Sequence, residues 1–255
     1  MSATNIIYAS LMRNLPAIDR EACKVFDIEQ TSTEIVILEK QQSPFGYDPS
    51  KRNLSFSKEN GPEVFGKLGL SFLKYFPSMN LSDISTIYLA HEVPHRVHDA
   101  VTDYEFGKEE LELHKKSIAE NKHLTNLVVL EGISEGIADC AKTHILSNLG
   151  MNGLLAAEKT RSKYLNEEDS KRLSSYDVEK LAKEEIEILP SVFDLSPLTP
   201  IISLTGSRFR KQLENDGLES FRKFSREFMP RYVTYEYAKE ILSRVLEDAK
   251  GLSSS

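Results

Sequence analysis

Apolar residues recur every three or four positions along most of the chain, and strand-like composition is confined to one early region. Pro16 to Phe26 suits a short helix with proline at an early position, where its missing N–H costs nothing. Thr33 to Lys40 is rich in β-branched residues and reads as a strand. Asp48-Pro49-Ser50 then supplies turn chemistry between Tyr47 and Leu54, predicting a hairpin whose second strand is Asn53 to Ser57. The helical period takes over at Val64, Leu68, Phe72, Leu73 and Phe76, bounded by Pro62 and Pro77. Ser82 or Asp83 is placed to cap a helix that runs through Ile84, Ile87, Tyr88 and Ala90 into a His-rich stretch.

Residues 107–123 are strongly charged and read as a solvated helix or loop, as does much of 158–187. Between them, Leu124 to Leu149 is the most apolar stretch of the chain. It predicts a buried helix with Gly150 just past its end. A further helix is expected from Tyr176 to Leu189, with Pro190, Pro197 and Pro200 marking a linker or boundary. Two amphipathic helices follow at roughly 205–228 and 234–249, where Phe221, Phe224 and Phe228 have the spacing of core residues. Strands early and helices late give an α+β, predominantly helical fold class with a small N-terminal β-sheet or hairpin. Residues 1–150 read as one region and 151–255 as a C-terminal helical subdomain, or the two as one continuous domain.

Composition adds constraints. The chain has 255 residues, enough for a substantial core, and its 32 Lys+Arg against 39 Asp+Glu leave a net charge of −7. That balance argues against a molecule-wide nucleic-acid surface. Cys23 and Cys140 form neither a disulfide framework nor a cysteine-type zinc knuckle. No apolar run reaches the roughly 18 residues of a membrane span, and the first residues lack the pattern of a secretory signal. The expectation is a soluble cytoplasmic protein with reduced thiols, no membrane and no nucleic-acid partner.

Residues 91–95 read His-Glu-Val-Pro-His. On a helix His91 and His95 stand one turn apart on one face, so both imidazoles can reach one metal ion. Glu92 points about 100° round the helix, where it can touch a metal-bound water without ligating the metal. The apolar helix carries Glu131, Glu135 and Asp139, and carboxylates on such a helix are expensive unless something positive meets them. Glu135 can complete a His₂Glu zinc site, and Asp139, one turn on, can accept the second ring N–H of a ligand histidine. Glu131 competes for the ligand role; Glu135 is preferred because it sits centrally and has Asp139 one turn beyond. Gly132, Ser134, Gly136 and Ala138 are small enough to let this helix approach the His91 helix closely. His98 and Asp99 extend the histidine face, either as ligands or groups behind them or, preferably, as a satisfied polar rim, and Cys140 is a packing residue.

HExxH followed some forty residues later by SEGIAD resembles the gluzincin metallopeptidases, the thermolysin-like group, over residues 90–140, about a fifth of the chain. The resemblance implies a zincin-like fold over 1–150. It implies zinc held by His91, His95 and Glu135, with Glu92 as general base, Asp139 behind the ligands, and a peptide or protein as substrate. The hairpin ahead of the motif is similar to the edge strand that lines the zincin substrate cleft.

Two departures from the pattern stand out. Pro94 falls inside the motif helix, removing the hydrogen bond to the Ala90 carbonyl and predicting a kink or a late helix start. No recognisable motif carries the residue that stabilises the oxyanion; Tyr232, Tyr235, Tyr237, His144 and Arg208 are candidates. The alternative readings are a zincin-like binding or scaffold protein without turnover, which Pro94 motivates, and a hydrolase of non-peptide amides.

Overall fold

The computed structural model describes residues 3–30, 33–39, 45–59, 76, 78–120, 124–173 and 198–253. The helices expected over 64–76 (all but Phe76) and 176–189, together with Pro190 and Pro197, lie outside the described residues. The elements are α1 (Ala3–Phe26), β1 (Ile35–Leu38), β2 (Phe45–Asp48), β3 (Asn53–Ser57), α2 (Leu81–Val101), α3 (Glu105–Glu120) and α4 (Leu124–Asn148). They continue with α5 (Asn152–Leu173), α6 (Thr199–Asp216), α7 (Leu218–Glu227), a 3-10 turn (Pro230–Tyr232) and α8 (Tyr235–Ser253). The class is α+β and predominantly helical, with one small three-stranded sheet.

The chain forms two compact units, Met1–Asp103 with Cys140–Ser162, and Tyr104–Asp139 with Lys163–Ser255. In the first, α1 packs along α2. The expected short helix from Pro16 instead begins at Ala3, because Ile7, Leu11, Leu15 and Ile18 continue one buried stripe upstream of the proline. Pro16 is tolerated inside α1 because it lies on the exposed side, and the carbonyl it leaves unbonded belongs to Met12, itself 42% exposed. Polar ties register the pair: Ser10 Oγ donates to the Ser82 carbonyl at 3.0 Å, and Asn14 Nδ2 to Thr86 Oγ1 at 2.8 Å. The cap of α2 is not Ser82 or Asp83 but Asn80, two positions before the first of them. Asn80 Oδ1 accepts from the Ser82 and Asp83 amides, and Asp83 accepts in return from the Asn80 amide, a closed capping box.

The predicted hairpin forms as β2–β3, antiparallel, with Tyr47 opposite Leu54; β1 joins the other side of β3 in parallel, giving the order β1-β3-β2. Asp48 pins the turn by accepting from the Ser50 amide (3.0 Å), the Ser50 hydroxyl (2.6 Å) and the Lys51 amide (3.3 Å). Burial raises the Asp48 pKa, but these bonds and the Lys51 charge outweigh it and hold the carboxyl below its ordinary value.

α4 ends where its glycine predicts. Gly150 takes φ +69°, the Met151 amide reaches back to the Leu146 carbonyl and the Gly150 amide to the Ser147 carbonyl, a Schellman closure. Nearby, the buried Glu158 binds the equally buried Lys142 at 2.7 Å and both Nε (3.0 Å) and one terminal nitrogen (3.1 Å) of Arg161.

In the second unit, the charged stretch at 107–123 is helical as α3 through Glu120. The single amphipathic helix expected over 205–228 is two: Gly217, at φ +85°, separates α6 from α7. Pro200 marks a boundary: it sits in the first turn of α6, where proline has no bond to lose. Phe221 is fully buried and Phe228 stacks on Phe224 with centroids 5.0 Å apart, the predicted core role. The turn after α7 is anchored by Asn126 Nδ2, which donates to the Val233 carbonyl at 2.9 Å. Among the described residues, no helix is long and apolar enough to cross a membrane.

Candidate metal centre

α2 runs unbroken through the motif. Pro94 is buried within it, and the helix begins at Leu81, so a late start does not explain how the proline is accommodated. Helical geometry holds across Pro94 well enough to bring the two imidazoles together. His91 Nε2 and His95 Nε2 are 3.3 Å apart, their rings nearly perpendicular at 76°.

α4 is apolar on most of its surface. Leu127, Val128, Leu130, Ile133, Ile137, Ala138, Ala141 and Ile145 are all buried. Between Leu124 and Lys142 only Glu131, Glu135 and Asp139 are half open, each residue one turn from the next. From this stripe Glu135 joins the histidines: ligand atoms of His91, His95 and Glu135 all lie within 4.8 Å of one another. Among the described residues this is the one such group of three or more histidine, cysteine or carboxylate side chains.

The competition on α4 resolves through a partner that sequence gave no means to foresee. The Glu131 carboxylate pairs with His114 of α3, whose Nε2 lies 2.6 Å from it. His114 lies in the charged run read as solvated, and no local spacing links it to a residue 17 positions away. Glu92 is not part of the three-residue group. Its Oε2 accepts from the Tyr47 amide of β2 at 3.0 Å, while Oε1 makes no hydrogen bond among the described residues. Tyr47 was also missed, since nothing local connects an edge strand to a helix 45 positions on.

The remaining predicted residues fall as follows. Asp139 stays half buried one turn beyond Glu135, outside the three-residue group. His98 and Asp99 are satisfied and buried: both are only 2% exposed, His98 stacked against Phe26 and Asp99 bonded by the Tyr47 phenol at 2.6 Å. Cys140 is fully buried, as packing requires. Of the oxyanion candidates, Arg208 is engaged by Asp248, and Tyr232 (54%) and Tyr235 (43%) are exposed. Burial, and then Glu240, raise the Tyr237 phenol above its ordinary pKa. Two of the small residues of α4, Gly132 and Gly136, have a different neighbour from the one expected. A Cβ at Gly132 would meet Thr205, and one at Gly136 would meet Gly206 and Phe209, so it is α6 that these glycines admit.

The donor set fits a zinc ion. Bonds of about 2.0–2.1 Å at a tetrahedral angle place two ligand nitrogens about 3.3–3.4 Å apart, the separation that the two imidazoles have. Two neutral nitrogens and one carboxylate are also a ligand set that zinc hydrolases use while keeping a fourth position open. No protein-family model, curated protein or solved structure matches this chain.

Proposed function

We propose that this protein is a zinc-dependent metallohydrolase acting on peptide bonds. The observation that carries the reading is the convergence of His91, His95 and Glu135, from two helices, on one point. His91 and His95 would hold the metal through Nε2 and Glu135 through its carboxylate. A zinc ion bound there supplies a Lewis acid and lowers the pKa of a water to about 7. Glu92, one residue from His91 but outside the ligand group, keeps Oε1 available to take the proton of the attacking water and return it to the leaving amine. All three ligands are half buried, neither sealed in the core nor fully exposed.

Metal analysis of the purified protein tests the centre. One zinc per chain is expected in the parent and none in His91→Ala or Glu135→Ala. Hydrolysis of a peptide library by the zinc-loaded parent, lost in Glu92→Gln with zinc retained, tests the chemistry. Absence of stoichiometric metal, or a Glu92→Gln variant as fast as the parent, refutes the proposal. A second reading, a metal-binding protein without turnover, is favoured by Pro94, which leaves the Ala90 carbonyl without its helical donor beside a ligand histidine. Zinc in the parent with no hydrolysis selects it.

A further inference from the structure

Tyr47 makes two contacts with one face of α2. Its amide donates to Glu92 Oε2 at 3.0 Å and its phenol to Asp99 Oδ2 at 2.6 Å. Glu92 and Asp99 are seven residues apart, hence within about 20° of each other around the helix and about 10.5 Å apart along it. His95 lies between them, three residues from one and four from the other. A single residue of the edge strand therefore grips α2 on both sides of a ligand histidine.

The grip follows from how the sheet spends its hydrogen bonds. The Leu54 amide points to β1, donating to the Glu34 carbonyl at 3.2 Å. Tyr47 and Leu54 therefore form a non-hydrogen-bonded pair of the β2–β3 ladder, and the Tyr47 amide faces outward from the sheet. It meets a carboxylate there, which makes a charge-assisted bond stronger than a ladder bond. The Asp48 turn fixes the hairpin one residue on, and Asp99, almost fully buried, holds the phenol by a short bond between hydroxyl and carboxylate. Both ends of the clamp are thus anchored in structure that does not depend on Glu92.

We infer that Tyr47 is a positioning residue. It fixes the Glu92 carboxylate by one oxygen, so that the other is presented in a single orientation beside the histidine pair. The inference rests on the reading of Glu92 as general base, but the clamp itself is testable without turnover. In protein labelled with ¹⁵N-tyrosine, the Tyr47 amide is the signal that disappears in Tyr47→Phe. In Glu92→Ala that amide proton should move upfield, as a donor that loses a carboxylate partner does; an unmoved signal overturns the clamp.

For its role, zinc-loaded variants are compared on a pool of fluorogenic peptides. Tyr47→Phe keeps the amide and loses the phenol. Tyr47→Pro loses both, at an edge position whose N–H faces away from the ladder, where proline is tolerated. Zinc content and KM should stay at parental values in both. The kcat should fall about 10²-fold in Tyr47→Pro, the cost of misplacing a reacting group by about 1 Å, with Tyr47→Phe in between. Parental kcat in Tyr47→Pro, or a matching loss of zinc, overturns the positioning role. If the parent itself proves inert, the hydrolase reading falls, and the amide signal alone upholds or overturns the clamp.

Discussion

Gly132→Ala probes the packing of α4, the helix that carries Glu135. An alanine Cβ at this position falls 2.5 Å from Thr205 Cβ, 2.6 Å from Thr205 Cγ2 and 3.1 Å from the Ile202 carbonyl oxygen. Carbon atoms settle at about 3.5–4.0 Å, so α4 and α6 must separate by about 1 Å. Thr205 cannot yield by changing rotamer, because it is 0% exposed and its Cβ is fixed to the backbone. Overpacking of this kind costs about 1–3 kcal/mol, and this collision belongs at the upper end. Replacing a helical glycine returns about 1 kcal/mol of helix propensity. The net is about 2 kcal/mol of destabilisation, which for a chain of this size lowers the melting temperature by about 4 °C. Thr205→Gly removes the colliding carbon, together with a buried hydroxyl that has no partner among the described residues. The double variant should therefore be more stable than the two single changes sum to, by at least about 1.5 kcal/mol. Thermal unfolding of all four proteins, followed by circular dichroism, measures that coupling. A value within about 0.5 kcal/mol of zero refutes the claim of direct contact. Gly153→Ala is the control: nothing lies within 4 Å of the new Cβ, so this substitution in α5 should stabilise by up to about 1 kcal/mol.

Other consequences follow from the same coordinates. Glu158→Ala leaves Lys142, whose side chain is 4% exposed, without its carboxylate and should cost about 3–5 kcal/mol; replacing Lys142 by Met as well should recover much of that in urea titrations. Removing metal with a chelator should lower the melting temperature of the parent but not of Glu135→Ala, and added zinc should restore it, because an ion that binds only the folded state stabilises by mass action. Burial raises the pKa of Asp19 despite the opposing Thr33 hydroxyl and Arg96 charge, so the folded state binds its proton more tightly than the unfolded chain does. Stability contributed by this group therefore falls as pH rises from about 4 through the raised folded value. The stability of Asp19→Asn relative to the parent should climb across that window, and a flat difference in pH-dependent denaturation contradicts the assignment.

Local chemistry made much of this architecture readable. The hairpin followed from Asp48-Pro49-Ser50 because turn residues act within four positions, and the end of α4 followed from Gly150 because only a positive φ closes a Schellman motif. The pairing of His91 with His95 was legible for the same reason: helical pitch alone sets their spacing. Helix boundaries were less so. Pro16 was read as the mark of a helix start, although it is accommodated inside α1 because its turn faces outward, whereas Pro200 does stand at the start of α6.

Sequence by itself determined the segments, the two imidazoles on one face and the stripe of three carboxylates on an apolar helix, since each depends on periodicities of four residues or fewer. Only the tertiary structure decided which carboxylate meets the histidines, because His114 takes up Glu131 and so distinguishes it from Glu135. It alone assigned the glycines of α4 to α6, and brought Tyr47 onto Glu92 and Asp99. These are contacts between elements dozens of residues apart. Their partners are chosen by burial, by close backbone approach and by the need of buried polar groups for one another, none of which leaves a spacing in the chain.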